Sequence, residues 1–304
     1  MSNVNVHKVA TLEGHRDAVF TIIQGPRDQD IISGSGDGMA VLWDLSDPKN
    51  GQLLARVPHS VYALCYHRPH NQLIIGHNYE GIHFVDIEKR EELRSIKFTD
   101  AAIFDINYNG DDIIVACGNG MVYVIDFLRL TILHELHLSS ERARSIAVNP
   151  ETNEVVIGFS DNHVRVLDGS TYAVKHEFIA HDNSVFSVRF THDYAYLLTV
   201  GRDAKLKIWD VKAGYSLKDT IVAHMFTINH IDFSTSGHNF VTCSMDKTIK
   251  VWDNESKKLL KVIDKQRHGG HGTSVNKLCW SNYQDMIVSC SDDRTLSVWQ
   301  LDIK

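Results

Sequence analysis

The sequence predicts an all-β fold built from seven similar antiparallel sheets, and three observations carry this prediction. First, seven short apolar runs, spaced 40 to 47 residues apart, each end in Asp or Gln, at positions 44, 86, 126, 168, 210, 253 and 300. Second, apolar and polar residues alternate within the repeats, as they do in half-buried strands. Third, no window keeps a helical period for more than about two turns.

The fifth repeat illustrates how each element is assigned. Its alternating segments predict four strands, at 185–190, 196–200, 205–209 and 216–222. Gly201 and Gly214 lie in the turn-prone stretches between them. One such sheet has two apolar faces and is not stable alone, whereas seven sheets stacked around a common axis cover all of these faces. The sequence therefore predicts a seven-bladed β-propeller of four-stranded antiparallel blades, with residues 1–304 as a single domain.

Several residues at fixed positions resemble a known family. Gly14-His15 and Trp43-Asp44 lie at the two ends of the first repeat. His181, His224 and His271 precede the repeat-ending Trp209, Trp252 and Trp299 in the same way. Over essentially its whole length the chain thus resembles the WD-repeat β-propellers.

The resemblance implies a buried tetrad in each well-formed blade, made of a loop His, a strand Ser or Thr, a turn Asp and a strand Trp. In each set the hydroxyl residue lies four positions before the Asp, and the Asp six before the Trp. The complete sets are His15, Ser33, Asp37, Trp43; His181, Thr199, Asp203, Trp209; His224, Thr242, Asp246, Trp252; and His271, Ser289, Asp293, Trp299. These are expected to be structural hydrogen-bond relays and not hydrolase triads. In repeats two to four, Val85, Ile125 and Leu167 replace the Trp.

The resemblance also implies how the ring closes. After Trp299 too few residues remain for a fourth strand, whereas 6–12 has strand character and no assigned place. The N-terminal strand is therefore expected to supply the outer strand of the last blade, which removes two open sheet edges.

Composition excludes several classes of protein. The net charge of −7, with no basic block, argues against nucleic-acid binding. No apolar run reaches the ~18 residues of a membrane helix, and residues 1–13 lack the apolar core of a signal peptide. The five cysteines contain no C-x-x-C pair, which is typical of reduced thiols in a cytoplasmic protein.

No residue pattern outside the tetrads predicts catalysis or a cofactor. The stretch 267–272 contains two histidines but few flanking carboxylates, so it is expected to be a loop and not a metal site. No metal is therefore predicted for this chain.

The candidate partner-binding residues come from the resemblance. In the family, the residue five positions after the repeat His often lies at the mouth of the central channel. Carried over, and extended by strand alignment to the repeats without a matching His, this gives Phe20, Tyr62, Phe104, Arg144, Phe186, Asn229 and Asn276. A rival interpretation places Phe186 in the core, because strict alternation puts it on the same side as Val188 and Phe190.

For function, the sequence predicts a non-enzymatic scaffold that binds protein or peptide partners through the propeller face. One alternative is a reader of a specific peptide or modified side chain at the aromatic-rich channel mouth. A partner site on the edge of the divergent repeats is another, and an enzyme with its site at the mouth is a weaker one. Fold alone does not decide among these.

Overall fold

The computed structural model describes residues 4–303 as seven four-stranded antiparallel sheets. The strands in chain order are β1 (Val4–Leu12), β2 (Val19–Gln24), β3 (Asp30–Ser35), β4 (Met39–Asp44), β5 (Gln52–Arg56), β6 (Val61–His67), β7 (Gln72–His77), β8 (Gly81–Asp86), β9 (Glu91–Ile96), β10 (Ile103–Asn109), β11 (Asp112–Cys117), β12 (Met121–Asp126), β13 (Ile132–His137), β14 (Ala143–Asn149), β15 (Glu154–Phe159), β16 (His163–Asp168), β17 (Val174–Ile179), β18 (Val185–Phe190), β19 (Tyr196–Gly201), β20 (Lys205–Asp210), β21 (Ser216–Val222), β22 (Ile228–Phe233), β23 (Asn239–Ser244), β24 (Ile249–Asp253), β25 (Leu259–Ile263), β26 (Val275–Trp280), β27 (Ile287–Ser291) and β28 (Leu296–Ile303).

Each sheet is one blade of a seven-bladed β-propeller, as predicted. Blades 1 to 6 are the sheets β2–β5, β6–β9, β10–β13, β14–β17, β18–β21 and β22–β25. In blade 5 the observed strands agree with the predicted ones to within one residue at each end.

Blade 7 confirms the predicted closure. Its strand order is β1-β28-β27-β26, so the first strand completes the last sheet. β1 runs antiparallel to β28, from the pair Val4 and Ile303 to the pair Leu12 and Leu296. Both Val4 and Leu12 are buried, which anchors the two ends of the strand.

The chain divides into two compact units, which are described separately. The first holds residues up to His77, Ile82–Ser95 and residues from Asn229 on. In this unit β2 packs against β6 and β26, and β23 packs against β26. One of its apolar clusters joins Leu12, Ile22 and Trp43 to Val288 and Leu296. Burial of these side chains stabilises neighbouring sheets against each other.

The second unit holds Asn78–Gly81 and Ile96–Ile228. Here β14 packs against both β10 and β18. Phe159 and Leu167 lie in the cluster that β14–β16 form with β11 and β12, and Trp209 lies in the cluster with Val188 and Leu197. The expectation of a single domain for residues 1–304 stays a prediction.

Helical structure among residues 4–303 is limited to the 3₁₀ turn Arg68–His70 and one α-helical turn, α1 (Lys265–His268). The stretch 267–272 was expected to be a loop. This is wrong for Arg267 and His268, which belong to α1. The Asp264 carboxylate accepts a hydrogen bond from the Arg267 amide at 2.8 Å, and Gly269 ends the turn at φ 68°. Neither turn approaches the length and apolarity that a membrane-crossing helix requires.

Candidate partner-binding site

The predicted tetrads of blades 1, 5 and 7 form hydrogen-bond relays. In blade 1 the Trp43 indole N–H donates to Ser33 Oγ at 2.8 Å, and Ser33 Oγ lies 2.7 Å from His15 Nε2. The His15 Nδ1 atom lies 3.1 Å from Asp37 Oδ2. The same three contacts measure 2.9, 2.8 and 2.9 Å for Trp209, Thr199, His181 and Asp203, and 3.0, 2.9 and 2.8 Å for Trp299, Ser289, His271 and Asp293. In blade 6, Trp252 donates to Thr242 at 2.9 Å.

The directions of these bonds follow from which atoms carry hydrogen. The indole can only donate, so the hydroxyl oxygen accepts from Trp and gives its own hydrogen to His Nε2. The imidazole then carries its hydrogen on Nδ1 and donates it to Asp. Although a hydrolase triad has the same order of partners, the hydroxyls of Ser33, Thr199 and Ser289 are completely buried. The relays are therefore suited to holding a blade together and not to attacking a substrate.

The relays also affect the carboxylates. Burial alone would raise the pKa of Asp203, but the hydrogen bond from His181, with those from the Asp182 and Lys205 amides, outweighs it and lowers the pKa to about 2. The pKa of Asp293 is lowered by the same balance, with His271 as the partner. Both carboxylates are thus ionised at neutral pH and accept hydrogen bonds only.

The seven candidate partner-binding residues share one structural position. Each is the second residue of the first strand of its blade, where β26 is taken as the first strand of blade 7 because β1 is its outer strand, and each is partly exposed directly after a buried residue. In six of these strands the pairing register shifts across this residue, so that it has no partner on the next strand: Phe20, Tyr62, Phe104, Arg144, Phe186 and Asn276. A β-bulge of this kind turns a side chain away from strict alternation.

The bulge decides the position of Phe186. Val185 pairs with Gly201 and Ser187 with Val200, which leaves Phe186 outside the ladder. Val188 and Phe190 are buried, whereas Phe186 is partly exposed. Phe186 therefore does not join Val188 and Phe190 in the core, contrary to the rival interpretation.

In the first unit, two of the candidates form an aromatic pair. The rings of Phe20 and Tyr62 lie 4.5 Å apart between centroids, at an interplanar angle of 37°. Such a pair offers a partly exposed apolar surface across blades 1 and 2.

The two asparagines have structural bonds. Asn229 donates to the Val275 carbonyl at 2.8 Å, and Asn276 donates to the Val19 carbonyl at 2.9 Å. Each amide therefore links the first strand of its blade to the first strand of the next. Partner binding by Asn229 and Asn276 stays a prediction.

In the second unit, Arg144 lies between two aromatic rings. Its guanidinium carbon is 4.2 Å from the centroid of Phe186 and 5.3 Å from that of Phe104. Its Nε donates to Ser160 Oγ at 2.5 Å. Burial, followed by the positive charges of Arg142 and Arg202, lowers the pKa of Arg144 to about 10. Arg144 is still a cation at neutral pH, in a site crowded with positive charge.

An exposed apolar pair directly after His224 was not predicted. Met225 is 82% exposed and Phe226 is 61% exposed. The sequence does indicate this pair, because the other three repeats with a complete tetrad carry Arg-Asp, Asp-Asn or Gly-Thr at the two positions after the His. Exposed apolar side chains on a loop often contribute to partner binding.

A histidine cluster on the β7–β8 hairpin was also missed. His77 Nε2 and His83 Nε2 lie 2.7 Å apart, and His83 Nδ1 lies 3.2 Å from a Glu92 carboxylate oxygen. Two histidines on one zinc ion need about 3.3 Å between their nitrogens, from bonds of ~2.0 Å. The pair is closer than this, at hydrogen-bond distance, and the absence of a metal stays a prediction.

Comparison with known proteins agrees with this architecture. The family model described as "Nucleolar protein 10-like, N-terminal domain" matches residues 43–300, and the model "WD domain, G-beta repeat" matches residues 7–44. The chain belongs to the WD-repeat β-propellers, in the nucleolar protein 10-like, N-terminal domain family. Together the two family models match residues 7–300 of this WD-repeat propeller, which include nearly all of its seven blades.

Individual relatives of this WD-repeat propeller are distant. "Periodic tryptophan protein 2 homolog" of Mus musculus is 22% identical over 227 residues, covering 67% of this chain and 24% of that protein. "Striatin homolog" of Dictyostelium discoideum is 21% identical over 208 residues, covering 66% and 21%. The chain thus spans about a quarter of the length of these curated relatives.

Among solved structures, the WD40 beta propeller domain of Doa1 is similar, with a TM-score of 0.86 and 17% identity. The match covers 98% of this chain and 97% of that chain. At this identity the likeness concerns the fold alone.

Proposed function

We propose that the protein is a non-enzymatic interaction module that binds protein partners through the bulged residues of its first strands. One observation carries the proposal: partly exposed aromatic and arginine side chains recur at the same bulged position in successive blades. Among them are the Phe20–Tyr62 pair and the group of Phe104, Arg144 and Phe186. Aromatic residues and arginine are the side chains most enriched at the energetic centre of protein interfaces.

Membership of the WD-repeat propellers supports the same function, because the resemblance implies interaction scaffolds. The relays support the non-enzymatic part, since their buried hydroxyls accept the indole hydrogen and have no exposed nucleophilic role.

The rival function, a reader of a specific peptide or modified side chain at the channel mouth, has less support where the modified side chain is a cation such as a methylated lysine. Such readers hold a cation between aromatic rings. Between Phe104 and Phe186 that place is taken by the guanidinium of Arg144. Peptide binding beside this cation agrees better with the geometry.

Localisation belongs to the same proposal. The cytoplasmic location expected from the sequence stays a prediction, and the family description names a nucleolar protein. Fluorescence microscopy of the tagged chain in cells of its source distinguishes a cytoplasmic from a nucleolar protein.

The proposal is tested by partner capture with two variants. Phe186→Ala and Phe20→Ala each remove a partly exposed ring that is outside the strand ladder. We expect each to keep the melting temperature within a few degrees and to lose partners that the unmodified protein retains in affinity capture with mass spectrometry. Truncating an anchoring aromatic side chain should weaken binding by about 2 kcal/mol or more.

Ile179→Ala serves as the matched control, because Ile179 is an apolar side chain 67% exposed at the end of β17. It should keep all partners. Capture that is unaffected by Phe20→Ala and Phe186→Ala would contradict the proposal, as would capture that Ile179→Ala lowers equally.

The non-enzymatic part has its own test. The purified protein should have no activity in a panel of esterase, phosphatase and protease assays. An activity that survives purification and disappears in Ser33→Ala or Thr199→Val, while the fold persists, would contradict this part of the proposal.

A further inference from the structure

Two arginines of the second unit stack on the Phe104 ring, and a third lies on an adjoining turn. Arg142 and Arg144 both stack on Phe104, with guanidinium carbons 5.9 and 5.3 Å from its centroid. Arg202 joins them from the β19–β20 turn, where its charge acts on Arg144. The side chains of Arg142 and Arg202 are exposed.

Backbone bonds fix the segments that carry these arginines. The Ser160 amide donates to the Arg142 carbonyl at 2.8 Å, and the Arg202 amide donates to the Ser184 carbonyl at 2.9 Å. Ser184 Oγ donates to the Ser160 carbonyl at 3.3 Å, which ties the two segments together. The three arginines are therefore held in place by β-structure and not on a mobile terminus.

No carboxylate within residues 4–303 forms an ion pair with Arg142, Arg144 or Arg202. Three acids of the adjoining turns have other partners. Asp161 accepts from Ser139 at 2.7 Å and from Arg165 at 2.8 Å. Asp182 pairs with Lys205, and Asp203 with His181. An acidic chain of net charge −7 thus keeps three arginine side chains together without an acidic partner.

From this geometry we infer that Arg142, Arg144 and Arg202 bind a carboxylate-bearing segment of a protein partner. The inference rests on the proposed function and adds to it the chemistry of the partner. Arginine binds carboxylates through two parallel hydrogen bonds, and such bonds are about twice as strong as those between neutral groups. Arg144, held by Ser160 Oγ and two rings, positions the centre of the site, while Arg142 and Arg202 are free to close on the ligand.

A protein segment fits this site better than a nucleic acid. Single-stranded nucleic acids bind where exposed aromatic faces stack on bases within a long basic groove. Here a guanidinium lies over each of Phe104 and Phe186, so those faces are already engaged. The overall negative charge also disfavours a polymer of phosphates.

The test begins with a phage-displayed library of random 12-residue peptides, selected on the full chain. An enriched peptide is then made with a fluorescein label, together with a version in which every Asp and Glu is replaced by Asn and Gln. Fluorescence anisotropy measures binding of both to the unmodified protein, Arg142→Ala, Arg202→Ala and Arg129→Ala, at 50 and 200 mM NaCl. A 12-nucleotide polyuridine is measured in parallel.

We expect selection of peptides with Asp or Glu at a fixed position, and about tenfold weaker binding in Arg142→Ala and in Arg202→Ala. Arg129→Ala is the control, because it removes the same charge from an exposed side chain of the same unit and should leave binding unchanged. The Asn/Gln peptide should bind at least about tenfold more weakly than the acidic peptide, and the higher salt concentration should weaken the binding of the acidic peptide.

Three outcomes would overturn the inference: no enrichment of acidic residues, equal affinities in Arg142→Ala, Arg202→Ala and Arg129→Ala, or arginine-dependent binding of polyuridine tighter than that of the peptide. Its failure is separable from that of the proposed function. If captured partners depend on Phe20 and Phe186 but not on Arg142 and Arg202, the interaction module stands and the acidic segment does not.

Discussion

At the scale of single residues, each relay hydroxyl uses its one hydrogen and one lone pair. Thr199 Oγ1 accepts from Trp209 at 2.9 Å and lies 2.8 Å from His181 Nε2, to which it donates. Because every member depends on the next for its direction, loss of one leaves buried polar atoms without a partner. Such losses cost more than the net value of a single hydrogen bond.

This leads to a prediction for the turn residues of blades 5 and 3. Asp203→Ala should lower the free energy of unfolding by about 1–3 kcal/mol, since His181 and Thr199 stay buried. Asn119→Ala should lower it by less than about 1 kcal/mol, because Asn119 makes only a local bond to the Met121 amide. Denaturant titration measures both, and equal losses would contradict the relay's contribution to stability.

A second prediction concerns acid. The pKa of Asp203 is about 2 in the fold, below its unfolded value of about 3.9. Ionised Asp203 therefore stabilises the fold fully above pH ~4, and this contribution is lost as the pH falls toward 2. The stability difference between the unmodified protein and Asp203→Asn, measured by denaturant titration, should shrink across that range. A difference that stays constant would contradict the assignment.

The residue scale also marks the limit of sequence reasoning. The relay members were predictable because their types recur at fixed spacing, and in blades 1, 5 and 7 these residues lie at hydrogen-bond distance from one another. The orientation of Phe186 was not, because a bulge depends on pairing with β19 and leaves no pattern in β18 itself. Likewise, Ser160 and the two rings beside Arg144 come from three different blades, which no local pattern indicates.

At the scale of elements, the hairpin between β11 and β12 requires glycine. Gly120 has φ 80°, in the left-handed region. A Cβ there would lie 1.9 Å from the Ser139 carbonyl oxygen. Gly110, in the hairpin between β10 and β11, has φ 61°, and a Cβ at that position would meet no atom within 4 Å. Both glycines thus have a left-handed φ, but only Gly120 lies against a neighbouring atom.

The matched pair gives a third prediction. Gly110→Ala should lower the free energy of unfolding by about 1 kcal/mol, the usual cost of placing a residue with a side chain in the left-handed backbone region. Gly120→Ala should lower the free energy of unfolding by at least about 1 kcal/mol more, because the hairpin must also move away from Ser139. Thermal and denaturant unfolding of both variants measure the difference. Equal losses would mean that the loop containing Ser139 moves away without a cost in stability.

Element boundaries were the more predictable part of this fold. In blade 5 alternation and turn residues gave strands that differ from the observed ones by at most one residue. The helical turn α1 was not predicted, because a single turn shows no periodicity in the sequence. Its ends are set by the Asp264 cap and by Gly269.

At the scale of the whole molecule, β1 is the strand on which blade 7 depends. It pairs with β28 along its length, and Leu12 joins the core cluster that contains Trp43. Without β1 the edge of β28 would be open, and unpaired edges promote aggregation.

The fourth prediction is a truncation. Deletion of residues 1–12 should lower the melting temperature and cause aggregation visible by size-exclusion chromatography. Leu12→Ala alone should lower the free energy of unfolding by about 2–5 kcal/mol. Val9→Ala is the matched control on the same strand, because Val9 is 46% exposed, and it should lose less than about 0.5 kcal/mol. A truncated chain as stable and monodisperse as the full one would contradict the closure.

The pairing of β1 with β28 also sets an order in time. During synthesis β1 leaves the ribosome first of the described strands, and its partner leaves last, roughly 280 residues later. At about 5–20 residues per second this interval lasts about 15 to 60 s. Throughout it, β1 has no native partner strand, so the nascent chain has a long period of exposure to misassembly and to chaperones.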